Sequence, residues 1–70
     1  MTARELQGLL EKYTGSPFIS TRQICEIDGT KNRSRVIRKY GLNDLPRFGG
    51  KYGKFSCMDV AENMISRRVV

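Results

Sequence analysis

Glycines at positions 15, 29 and 41 each follow a short amphipathic stretch, and this punctuation limits the first 41 residues to helices of two or three turns. A glycine just past a helical run is the usual stop signal, because it adopts the left-handed conformation that closes a helix without strain. The starts are marked as well. Thr2-Ala3-Arg4-Glu5 has the Ser/Thr-x-x-Glu/Gln form of a capping box, and Leu6, Leu9, Leu10 and Tyr13 recur behind it at helical spacing. This predicts a first helix over 2–14 whose apolar stripe is buried. Ser16-Pro17 breaks it, and Phe18-Ile19 forms a very short strand. Ser20-Thr21-Arg22-Gln23 is a second capping box, opening a helix with Ile24 and Ile27 facing inward. Thr30 is expected to cap a third helix that runs to Gly41.

Beyond Gly41 the pattern changes. Leu45 to Phe48 and Tyr52 to Phe55 read as two short strands around the Gly49-Gly50-Lys51 turn, a β-hairpin with Phe55 as its core anchor. Ser56-Cys57-Met58-Asp59 caps a last helix carrying Val60, Ala61, Met64 and Ile65 on one stripe. The expected class is mainly α with a small β-hairpin, in the order helix, short strand, helix, helix, hairpin, helix. Seventy residues suffice for one domain with a small core and are few for an enzyme scaffold.

Charge is unevenly distributed. Residues 20–54 hold nine basic side chains against Glu26, Asp28 and Asp44, which accounts for the whole net charge of +6. Such a segment favours an anionic partner, with nucleic acid foremost. In the third helix Val36, Ile37, Tyr40 and Arg33 fall on the inward side, where Arg33 is expected to snorkel or to pair with Glu26 or Asp28. Lys31, Ser34, Arg35 and Arg38 share the outward face, with Asn32 and Lys39 at its rim. Solvated helices also carry charged outer faces, but they usually mix signs, and Thr30 to Tyr40 has five basic residues and no acid. An α-helix fits the DNA major groove, where Arg or Lys reads guanine, Asn reads adenine, and further cations meet phosphates. The hairpin's Arg47, Lys51 and Lys54 are expected to lie along a backbone or enter a minor groove, and Arg22 is a further expected DNA contact.

Other chemistries find little support. With only two cysteines, far apart, and no histidine, a zinc finger is excluded, and Cys25 and Cys57 read as small core residues with reduced thiols. No cofactor, metal, small-molecule substrate or catalytic set is expected, because no paired carboxylates or nucleophile with its base occur at recognisable spacing. The Gly49 to Lys54 stretch lacks the phosphate-loop pattern. Scarce exposed aromatics weigh against single-stranded RNA. No apolar run suits a membrane span.

Five segments in order carry a family resemblance: Ile19-Ser20-Thr21-Arg22-Gln23-Ile24-Cys25; Gly29-Thr30; Val36-Ile37-Arg38; Gly41-Leu42 with Leu45-Pro46-Arg47; and Phe55-Ser56-Cys57-Met58-Asp59-Val60-Ala61. Together they resemble the winged-helix excisionase and MerR-like DNA-binding domains, over about two thirds of the chain. The resemblance implies a single winged helix-turn-helix domain, with the helix pair at about 20–40, the wing at about 45–55 and a closing helix at about 56–67. It implies sequence-specific binding of double-stranded DNA, with the second helix of the pair in the major groove. Because the chain stops at Val70 without the long dimerising helix of MerR regulators, it is closer to the excisionase branch. That branch implies a small architectural factor setting the direction of recombination, or a transcriptional regulator of a mobile element. Its setting would be prokaryotic cytoplasm, nucleoid-associated, with a site-specific recombinase or further copies of itself on DNA as protein partners. The alternative is an interaction module whose basic face docks on an acidic protein.

Overall fold

Thr2 opens the first helix by the reciprocal pairing its sequence predicts: its hydroxyl accepts the Glu5 N–H at 3.2 Å, and its own N–H donates to the Glu5 carboxylate. A computed structural model describes residues 1–49 and 53–67. Helix α1 spans Ala3–Thr14, and Gly15 closes it at φ 69°. Helix α2, Thr21–Asp28, begins with the same device between Ser20 and Gln23 and ends at Gly29, φ 77°. Helix α3, Arg33–Tyr40, ends at Gly41, φ 63°, and one 3-10 turn follows over Leu42–Asp44. Strand β1 is Phe18–Ile19, strand β2 is Phe55–Ser56, and helix α4 is Cys57–Ser66. The chain is thus mainly helical, with a two-stranded antiparallel sheet.

That sheet differs from the expected hairpin. β2 pairs with β1, Phe18 opposite Ser56 and Ile19 opposite Phe55, and the Cys57 N–H extends the ladder to the Pro17 carbonyl at 2.9 Å. Among the described residues the segment expected to pair with it, 45–48, contributes a single bridge, in which Phe48 and Lys54 exchange two 2.8 Å backbone hydrogen bonds. Pro46 has no N–H to give to a ladder, and the Leu45 N–H is spent closing the 3-10 turn on Leu42. The expected turn residues Gly50, Lys51 and Tyr52 lie outside the described residues.

The core draws on every element: Leu10, Ile19, Ile24, Val36, Leu42, Phe55 and Val60 are buried. Each such side chain contributes about 1.5–3 kcal/mol by leaving water. α1 packs chiefly on α4, and α2 on α3. Three expected core residues are instead exposed, Leu9 at 53%, Tyr13 at 51% and Ile27 at 44%. In each helix the small core covers only a narrow stripe, Leu6 and Leu10 in α1 and Ile24 and Cys25 in α2. Tyr13 uses its position differently: its hydroxyl donates to Glu26 at 2.8 Å and ties α1 to α2. Ser56 precedes α4 but makes no capping bond through its side chain.

Candidate nucleic-acid interface

Asn32, rather than Thr30, caps α3: its side-chain oxygen accepts the Arg35 N–H at 3.2 Å. The Thr30 hydroxyl instead accepts the Asn32 N–H at 3.2 Å, a local turn that competes with helix formation and delays the start of α3 to Arg33. Lys31 and Asn32 therefore precede the helix instead of lying on it. Three of the four residues of the expected reading face, Ser34, Arg35 and Arg38, line one open concavity together with Asn32 and Lys39 from its rim, and all five are exposed; the fourth, Lys31, is not among its lining residues. A second hollow continues past Ser34 and Arg38 to Ile37 and Asn43. Asn43 was not singled out by the sequence pattern, because it sits in the 3-10 turn outside any helical periodicity.

Of the acids of the basic segment, Glu26 and Asp44 pair with residues outside this face, and Asp28 binds Lys39 at its rim. Asp28, half-buried at the end of α2, accepts the Tyr40 hydroxyl at 2.5 Å and the Lys39 ammonium at 2.9 Å. The Tyr40 hydrogen bond first, and that of Lys39 second, hold its carboxyl below the ordinary carboxylate value. Reciprocally, Asp28 raises Lys39, while burial and then Asp28 raise Tyr40. Lys39 is thus turned toward α2, its ammonium 5.2 Å from the Tyr40 ring centre. Glu26 accepts from Tyr13 and lies 3.9 Å from Arg22, whose side chain is 81% exposed. Asp44 lies 3.9 Å from Arg67. Among the described residues, Lys31, Arg33, Arg35, Arg38 and Lys54 have no carboxylate within ion-pair distance.

Arg33 is not inward. It is the first residue of α3, exposed, and it pairs with neither Glu26 nor Asp28. Arg47 places its guanidinium 5.0 Å from the Phe55 ring centre, and Lys54 is exposed at the bridge to Phe48. Lys51 lies outside the described residues.

Cys25 and Cys57 are free, buried thiols; the Cys57 thiol donates to the Ser16 carbonyl at 3.7 Å, and burial pushes its pKa up, which disfavours the thiolate. Among the described residues no three His, Cys, Asp or Glu side chains gather to hold a metal, and no helix is long and apolar enough to cross a membrane. Compared with protein-family models, with curated proteins and with solved structures, the chain shows no match.

Proposed function

We propose that this chain is a non-enzymatic protein that binds double-stranded DNA in a sequence-dependent way. α3 is its reading helix in a winged helix-turn-helix arrangement formed by α2, α3 and the segment bridged at Phe48 and Lys54. One observation carries the reading: α3 presents Ser34, Arg35 and Arg38, with Asn32 at its start, while Glu26 and Asp44 pair outside this face and Asp28 is held by Tyr40 and by Lys39 at its rim. An eight-residue helix is about 12 Å long, comparable to the width of the major groove. Arg35 and Arg38 suit the two acceptors of guanine, the Asn32 amide suits adenine, and Lys31, Arg22 and Lys54 suit phosphates. Small size, a confined positive charge and the order of motifs support an excisionase-like role, as an architectural factor in recombination or a regulator of a mobile element.

The test is charge reversal. The Arg35→Glu, Arg38→Glu double variant should keep the circular dichroism spectrum and melting curve of the native chain, because both side chains are exposed, and should lose duplex binding. A folded variant that binds as tightly as the native chain would overturn the assignment of α3. Negligible affinity of the native chain for any duplex at low salt would pass the basic face to an acidic protein partner instead.

A further inference from the structure

Arg33 stands outside the reading face, and its surroundings suggest another use. With Arg22 of α2 and Arg47 of the segment before the Phe48 bridge, it lines an open cleft of about 560 Å³ whose other walls include Thr21, Ile37 and Gly53. Three arginines from three separate segments meet there, and no acidic side chain lines it among the described residues. An anion seated in the cleft would be attracted by all three charges. A guanidinium presents a planar fork of donors that matches phosphate oxygens in pairs. Arg47 is steadied over the Phe55 ring at 5.0 Å, and Phe55 is itself fully buried. The Thr21 hydroxyl adds a neutral donor. Among the described residues Arg22 has one carboxylate within ion-pair distance, that of Glu26 at 3.9 Å, in an exposed pair that water and salt screen.

The position of the cleft indicates which phosphate. Ile37 forms a wall of this cleft and also of the hollow lined by Ser34, Arg38 and Asn43, so the two adjoin along α3. A strand bordering the groove that α3 enters would pass over the cleft. We infer that the Arg22, Arg33 and Arg47 cleft grips a backbone phosphate of the bound duplex, giving Arg33 a contact that adds affinity without reading sequence. The inference rests on the proposed DNA-binding function. The same chemistry would accept a free phosphate, and the experiment separates the two sources.

Arg33→Gln and Arg22→Gln, each at an exposed position, are titrated with several duplexes over a salt series. In parallel, inorganic phosphate is titrated against chloride at matched ionic strength, following the Thr21 and Gly53 amide resonances. If the cleft holds a DNA phosphate, each variant keeps the native melting curve and loses about tenfold in affinity on every duplex. The slope of log K against log salt flattens by up to about 0.9, and the preference between duplexes is unchanged. Native-like slopes and affinities in both variants, alongside loss of binding in the Arg35→Glu, Arg38→Glu variant, would overturn the cleft and leave the proposed function standing. A changed preference between duplexes in Arg33→Gln would make it a base reader and overturn the inference. Saturable binding of inorganic phosphate that depends on Arg33, with duplex binding unaltered, would assign the cleft to a free anion and overturn the DNA contact. Absence of duplex binding by the native chain would overturn both.

Discussion

Phe55 combines more roles than any other single residue here. It is fully buried, lies opposite Ile19 in the sheet and supports the Arg47 guanidinium on its ring. Phe55→Ala should cost about 3–5 kcal/mol. A core of this size supplies roughly that much in total, so the variant should be unfolded at room temperature by far-ultraviolet circular dichroism. A cooperative melt near the native temperature would contradict the account of the core. Asp28 governs a different property. Its carboxyl is lowered in the folded chain, so its contribution is complete above about pH 4, the unfolded value, and fades as pH falls through the lowered folded value. Lys39 and Tyr40 are raised, so their contributions are complete below about pH 10 and fade as pH rises beyond it. Melting followed from about pH 5 down to pH 2 should therefore show a shallower acid loss in Asp28→Asn than in the native chain. Parallel acid limbs in the two proteins would remove Asp28 from that role. Phe55, Cys25 and Cys57 were legible as core residues from the pattern alone. Leu9, Tyr13 and Ile27 were not, because helical spacing marks an apolar side without saying how wide a stripe a small core can cover.

Helix boundaries carry most of what the sequence made legible at the scale of elements. Both capping boxes and the three glycine stops formed as read, since each depends on groups within four residues of one another. What escaped the reading depended on partners distant in sequence or on local competition. Thr30 lost the cap of α3 to Asn32 through a two-residue turn, and β2 found β1 rather than the segment interrupted by Pro46. Arg33, placed inward by the wheel, is exposed at the first position of α3 and opens onto the cleft. Two glycines separate the uses of that residue. Gly8 lies inside α1 with open space where a side chain would begin, so Gly8→Ala should stabilise by about 0.5–1 kcal/mol, raising the melting temperature by roughly 2–8 °C. Gly41 has φ 63°, and a methyl group there would meet the Arg67 guanidinium at 2.5 Å. Gly41→Ala should therefore cost about 1–2 kcal/mol, mostly from the left-handed backbone, since the Arg67 side chain can swing away. Equal melting temperatures for the two variants would contradict this assignment of backbone strain.

Across the whole molecule, the fold sorts charge. The basic excess of residues 20–54 was visible in the chain, but the fate of its three acids was not. The structure engages Glu26 with Tyr13 and Arg22, Asp28 with Tyr40 and Lys39, and Asp44 with Arg67, leaving the outward side of α3 cationic. Uncompensated positive charge on a short exposed helix is mildly destabilising, and an anionic partner relieves it. The most direct test is equilibrium binding of the native chain to mobile-element-derived and random duplexes over a salt series. About five phosphate contacts should give a slope of log K against log salt near −4.5, with tighter binding to some duplexes than to others. No binding at low salt, or an affinity indifferent to salt, would contradict the claim that this basic face is built for DNA.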